Sequence, residues 1–177
     1  YSNRIKLITN SLDTYDHIIC FSNLTYQTYI KNKNINQVSL VKNTILPNTN
    51  TFKNINCHKN KELTYCFIAH SFWLKGLSYL LAAWSRIDPS IDSKLVIGGN
   101  INKQIQKYIN DHYSNINNVI YTGWINDINL FFRTAHVAIV PSLLDAGPTT
   151  VAEAMFCGLP VIVSEGCGSS EIIENGK

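Results

Sequence analysis

Val137-Ala138-Ile139-Val140, then Pro141-Ser142-Leu143-Leu144-Asp145-Ala146-Gly147-Pro148, then Thr149-Thr150-Val151-Ala152-Glu153-Ala154-Met155-Phe156 follow one another without a break and carry three different signals. The first piece is uniformly apolar, the pattern of a parallel strand buried on both faces. The second collects Pro, Ser, Asp and Gly, the residues of a turn-forming loop. The third has helical character, with Pro148 suited to the first helical position because its missing N–H is no loss there. Strand, loop and helix in that order are half of a βαβ unit, and the rest of the chain repeats the theme.

Working outward, short apolar runs alternate with amphipathic stretches: strand Tyr65–Ala69, helix Leu77–Arg86, strand Lys94–Ile97, helix Ile101–His112, strand Val119–Tyr121 and helix Asp127–Arg133. After the opening stretch come strand Val161–Val163 and a helix Ser169–Glu174. Such alternation predicts an α/β domain with a doubly wound parallel sheet. Nearer the N-terminus, His17–Phe21 reads as a strand, Ser22 as the cap of a helix Leu24–Lys31, and Ser39–Val41 as a further strand. Residues 47–60 are polar, rich in Asn and without periodicity, which marks a linker.

Composition narrows the function classes. A chain of 177 residues that is 45% hydrophobic supports one full core, or one core and a piece of another. Charged residues are 15% of it, and no run of about 18 apolar residues offers a membrane span, so a soluble globular chain is expected. The net charge of +3 is spread without a block of like charges. That argues against nucleic-acid binding and leaves a weak attraction to an anionic membrane surface or a phosphorylated substrate. Five scattered cysteines without a Cys-x-x-Cys pair point to a reducing compartment. The N-terminus lacks the apolar core of a secretory signal, and the abrupt start and stop lead us to expect a fragment of a cytoplasmic protein.

Ligands of open parallel sheets sit beyond the carboxyl ends of the strands, which directs attention to the strand-to-helix loops. The exposed N–H groups of Thr149 and Thr150, backed by the helix dipole, form a phosphate cradle. Glu153, one turn on, can face the same crevice and accept hydrogen bonds from ribose hydroxyls. On spacing alone, an equally good reading has Asp145 capping the helix and Glu153 solvated. No Asp-x-Asp occurs and the His residues lack paired metal spacing, so no metal site is expected.

These motifs, with Cys157-Gly158-Leu159-Pro160-Val161-Ile162 after the helix, resemble the GT4 family of retaining glycosyltransferases. The resemblance continues in order along nearly the whole chain. Lys75-Gly76-Leu77, Leu95-Val96-Ile97-Gly98-Gly99, Tyr121-Thr122-Gly123-Trp124-Ile125 and Gly168-Ser169-Ser170-Glu171-Ile172-Ile173 each resemble a family segment. It implies the Rossmann-like C-terminal domain of a GT-B fold over residues 62–177, a linker at 45–61, and the last piece of the acceptor domain at 1–44. The implied substrates are a UDP- or GDP-sugar donor and a saccharide or lipid-linked acceptor, in cell-surface polysaccharide or glycan synthesis, with peripheral membrane association, no metal and no further cofactor. By the same resemblance Asp145 touches the donor sugar, Glu153 the ribose, and Gly98, Gly147, Thr149 and Thr150 the rest of the donor, while the backbone of Ile125 meets the base. Lys75 neutralises the diphosphate leaving group. Three positions depart from the family pattern. Asp145 stands where Glu is usual, and Pro148 where a Gly N–H is common, so that the phosphate contacts move to Thr149 and Thr150. His70, or Ala69 in another alignment of the loop, stands where an arginine is usual, without the bidentate fork. A nucleotide-binding module without turnover, a sugar-nucleotide epimerase and a phosphorylase are the competing expectations.

Overall fold

The computed structural model describes residues 15–31, 37–42 and 62–175. The expected linker, Cys57 and the crossing at residues 43–45 lie outside them.

Two sheets are present among the described residues. The small one pairs β1 (Ile18–Cys20) in parallel with β2 (Val38–Leu40), crossing over through α1 (Asn23–Ile30). Ser22 caps α1 as expected, its hydroxyl accepting from the N–H of Thr25 at 3.3 Å. The large sheet has five parallel strands: β3 (Leu63–Ile68), β4 (Ser93–Gly98), β5 (Val119–Gly123), β6 (Val137–Val140) and β7 (Val161–Val163), in the order β5-β4-β3-β6-β7. Its crossover helices are α2 (Leu77–Trp84), α3 (Lys103–Tyr113), α4 (Ile128–Arg133) and α5 (Thr149–Phe156).

The two-residue period of the strands explains why they read as continuously apolar. Phe67, Leu95 and Ile97 point into one cluster with Leu77, Leu80 and Leu81 of α2 and Ile105 and Ile109 of α3. Their neighbours Cys66 and Val96 point the other way, to Phe131 and Phe132 of α4 and Ala154 of α5. Both faces are therefore covered, as a doubly wound sheet requires. On α2 the buried residues Leu77, Leu80, Leu81 and Trp84 form one stripe at the spacing of a helix face.

Several boundaries differ from the sequence reading. The helix expected at 101–112 begins at Lys103, because the Asn102 side chain caps it by accepting from Ile105 N–H at 2.9 Å. Pro148 is the N-cap of α5 with extended backbone, φ −64° and ψ 129°, one step before the first helical position expected for it. The final helix is a 3₁₀ turn over Gly168–Ile172 instead of an α-helix over 169–174. The four described cysteines, Cys20, Cys66, Cys157 and Cys167, are buried and unpaired. Burial and the neighbouring Cys157 push the Cys66 thiol up to about 12, so it is not a thiolate at neutral pH.

Candidate functional site

The chain leaves β3 for β4 and β5 on one side, then returns to place β6 on the other side of β3. The crevice between the loops after β3 and β6 is thus the point where strand order reverses, the favoured ligand position in such sheets. Lys75 sits on the first of these loops and Asp145 on the second, and their side chains form an ion pair across the crevice. With relative exposures of 32% for Lys75 and 14% for Asp145, the pair is only partly open to water. It therefore keeps more of its Coulomb energy than a surface pair does.

Local geometry explains why these two meet. Gly76, at φ +81°, leads into α2, and a β-carbon there would lie 2.0 Å from the carbonyl oxygen of Pro141. Only glycine supplies both the left-handed backbone and the space, so it lets the Lys75 loop press against the loop after β6. Asp145 is fixed through its backbone: its N–H donates to Gly166 O at 3.1 Å and its carbonyl accepts from Gly168 N–H at 2.7 Å. Its carboxylate also accepts from Gly147 N–H at 3.3 Å. The side chain does not cap α5, and that alternative is set aside: the cap is Pro148, which has no side-chain bond to offer.

Because a proline is the N-cap of α5, the first-turn N–H groups of Thr149 and Thr150 receive no side-chain cap from it. Thr149 and Glu153 are one turn apart on the same helix, and a side-chain hydrogen bond joins them. Partial burial pushes the Glu153 carboxyl above its ordinary range, with the Thr149 bond offsetting part of the effect. Glu153 is thus a half-buried acid bonded to Thr149, far from the fully solvated group of the alternative reading.

The glycine pair at the end of β4, Gly98 and Gly99, marks the other flank. A β-carbon on Gly98 would lie 2.8 Å from Cγ1 of Ile125, so these two expected donor residues are in direct packing contact. Ile125 also joins the apolar cluster of Ala154 and Cys157, which ties the loop after β5 to α5. His70 is exposed and meets Trp124 edge-on, with ring centroids 5.8 Å apart. Since β4 lies between β3 and β5, this contact spans the glycine pair. The structure therefore brings together Lys75 with Asp145, Thr149 with Glu153, and Gly98 with Ile125, while the ring partner of His70 is Trp124.

Three features escaped the sequence reading. One is the Lys75–Asp145 pair itself, invisible because the partners are 70 positions apart. Another is Ser142, whose hydroxyl is buried and has no hydrogen-bond partner among the described residues. The third is the Glu171 carboxylate, which accepts from the N–H groups of Asn23 and Leu24 at 3.0 and 2.8 Å. A cavity of about 510 Å³ lined by Trp84, Asp88, Asp111 and Asn117 opens at the opposite end of the sheet and shares no residue with these loops. Among the described residues no group of three or more His, Cys, Asp or Glu is placed to hold a metal ion. No helix among them is long and apolar enough to cross a membrane.

Comparison with known proteins adds three findings. Residues 48–177 match the family described as "Glycosyl transferases group 1". Among curated proteins, the chain is 29% identical over 122 residues to an uncharacterised glycosyltransferase of Methanocaldococcus jannaschii, covering 66% of this chain and 31% of the relative. It is 27% identical over 124 residues to the N,N'-diacetylbacillosaminyl-diphospho-undecaprenol alpha-1,3-N-acetylgalactosaminyltransferase of Campylobacter jejuni, covering 70% of this chain and 32% of that protein. Among solved structures, Anabaena Alr3699/HepE in complex with UDP and glucose superposes with a TM-score of 0.80 at 18% identity, covering 99% of this chain and 52% of that one. At that identity the likeness shows a shared fold, the Rossmann-like half of a GT-B architecture. The chain spans about a third of the length of the curated relatives it matches and about half of that solved chain.

Proposed function

The chain belongs to the glycosyl transferases group 1 family, and from that premise we propose that it carries the donor-binding half of a retaining, GT4-type glycosyltransferase. The donor is a nucleoside-diphosphate sugar, UDP- or GDP-linked, and the acceptor a saccharide or lipid-linked glycan. HepE, whose fold this chain shares, was solved with UDP and glucose, and the Campylobacter relative is named for transfer to a diphospho-undecaprenol-linked sugar. In this reading residues 62–177 are the donor domain, residues 45–61 the linker, and the β1-α1-β2 unit the end of the acceptor domain.

The observation that carries the reading is the Lys75–Asp145 pair at the switch point, beside the N-terminus of α5, whose N-cap Pro148 makes no side-chain bond. The diphosphate lies against the Thr149 and Thr150 amides, and Lys75 turns its ammonium from Asp145 to the phosphate oxygens. Asp145 is then released to accept from hydroxyls of the sugar, while Glu153 accepts from the ribose. Gly98 and Gly147 leave room for the donor backbone, and the Ile125 backbone meets the base edge. During transfer the bond from the anomeric carbon to the diphosphate oxygen breaks, and the oxygen takes the electron pair. Lys75 and the helix N-terminus stabilise that charge, which is larger in the transition state than in the bound donor. The acceptor hydroxyl bonds to the anomeric carbon on the face the diphosphate leaves, and its proton passes to the departing oxygen. No protein nucleophile is proposed. His70, engaged with Trp124, lacks the fork of an arginine, and this favours one second reading, a module that binds the nucleotide without turnover.

Calorimetric titration of the full-length protein with UDP, GDP and ADP tests the proposal. One diphosphate should bind, and Lys75→Ala and Glu153→Ala should each weaken it about tenfold or more. Binding of none of the three, or binding indifferent to both changes, overturns it. Binding without transfer from any labelled donor sugar selects the module.

A further inference from the structure

Glu171 is the one acid of the 3₁₀ turn Gly168–Ile172, and its contacts lie almost the whole chain away. One carboxylate oxygen accepts from Asn23 N–H at 3.0 Å and the other from Leu24 N–H at 2.8 Å. These are the first two N–H groups of α1, which the Ser22 side chain cannot reach while it accepts from Thr25. Two adjacent orphan donors at a helix N-terminus are therefore met by one carboxylate from another unit, an arrangement favoured by the helix dipole as well.

The same turn is pressed onto the donor loop. A β-carbon on Gly168 would lie 2.1 Å from the carbonyl oxygen of Ala146 and 2.4 Å from the Ser22 hydroxyl, so Gly168 is the point where α1's cap, the donor loop and the turn converge. Gly168 N–H donates to Asp145 O at 2.7 Å, and Asp145 bridges in parallel to Cys167. Only a hollow of about 30 Å³, room for about one water, remains between Phe21 and Lys42 on one side and Pro148, Thr149 and Glu171 on the other.

We infer that Glu171 is a positioning residue: it clamps the β1-α1-β2 unit to the loop bearing Asp145, so that the acceptor side of the enzyme is held in register with the donor sugar. The inference rests on the donor-site reading above. Glu171 touches neither substrate, and its effect passes through α1 and through Gly168 to Asp145. Binding of the nucleotide is therefore largely independent of it, whereas use of the acceptor is not.

The test uses the full-length protein with Glu171→Ala and the near-isosteric Glu171→Gln, whose amide has one acceptor for two donors. Hydrogen exchange at the Asn23 and Leu24 amides should speed up by about tenfold in the alanine variant and by less in the glutamine variant. The diphosphate Kd should stay within about threefold, while kcat/KM for the acceptor falls about tenfold, giving a split that general destabilisation does not produce. Unchanged exchange at both amides overturns the clamp. Donor affinity and transfer falling together, in step with the loss of Tm, overturns the positioning role. If the wild type binds no nucleotide, the donor reading fails and takes the positioning role with it, while the exchange data still decide the clamp.

Discussion

Burial holds the Glu153 carboxyl above its ordinary range in the nucleotide-free protein, and this sets the sign of its pH dependence. A carboxyl whose pKa is higher folded than unfolded keeps its proton in the native state after the unfolded chain has released it. Stability then falls as pH rises across the interval between the two values, and stays lower above it. Glu153→Gln should accordingly raise Tm at pH 7, the gain vanishing near pH 4, and should weaken the diphosphate about tenfold or more, since ribose hydroxyls bond less strongly to an amide than to a carboxylate. Thermal scans at both pH values with a UDP titration check this; a variant less stable at pH 7 with unaltered affinity contradicts it. Lys75 makes the complementary case. If its charge acts mainly on the departing diphosphate, Lys75→Ala should lower kcat by about 10²–10³, well beyond its effect on donor Kd, and Lys75→Arg should recover part of the loss. Equal losses in Kd and kcat/KM with unaltered kcat assign it to ground-state binding alone. Glu153 was legible from helical spacing, a local property, whereas Lys75, one lysine in a surface loop, was singled out only by the family resemblance. The partner of Lys75 was not legible: Asp145 is 70 positions away, and only folding of the sheet brings the two loops side by side.

Elements bounded by strong local signals fell where the sequence placed them. β6 and β7 match residue for residue, and α5 covers Thr149–Phe156 as expected with Pro148 displaced from first helical residue to cap, since apolar runs buried on both faces and the Pro-rich loop leave little freedom. Errors gathered where a tertiary contact or a cap decides the boundary. The expected α-helix at 169–174 became a 3₁₀ turn whose Gly168 and Glu171 are committed to Ala146, Ser22 and the N-terminus of α1. α2 stops at Trp84, before the expected Arg86, as Arg86 and Ile87 donate three residues back to Ala83 and Trp84 at 3.1 Å each. Short elements with strong caps are the sensitive ones. Asp127 accepts from both Asn129 and Leu130 N–H at 2.9 Å at the start of six-residue α4, so Asp127→Ala should cost about 1 kcal/mol in urea unfolding with an unaltered m-value. Gly76→Ala should cost more, because it combines a φ of +81° with a collision against Pro141. Since that collision pushes the Lys75 loop away from Asp145, donor affinity should fall along with Tm. A Gly76→Ala protein as stable as wild type contradicts the packing described for this loop.

At the scale of the whole molecule, the doubly wound sheet was legible because its signal is an alternation repeated five times, and it places every expected donor residue at one end of the strands. How the small β1-α1-β2 unit meets the donor domain was not legible, as that seam depends on the Glu171 carboxylate and the space left by Gly168. The completed arrangement makes a claim about charge. Asp145, between the two loops, is already paired with Lys75, so a divalent cation brought to it with the donor would compete with Lys75 for the same carboxylate. In the proposed donor reading the diphosphate charge is instead met by the Lys75 ammonium and the partial positive charge at the N-terminus of α5. Transfer should therefore be unaltered by EDTA and unaided by added Mg²⁺, whereas donor affinity should weaken several-fold between 50 and 500 mM NaCl, because exposed protein charges are screened over that range. The Lys75→Ala variant should lose most of this salt dependence. Loss of transfer in EDTA, restored by a divalent cation, would mean that Lys75 is not the principal counter-charge and that Asp145 serves the metal in place of the sugar.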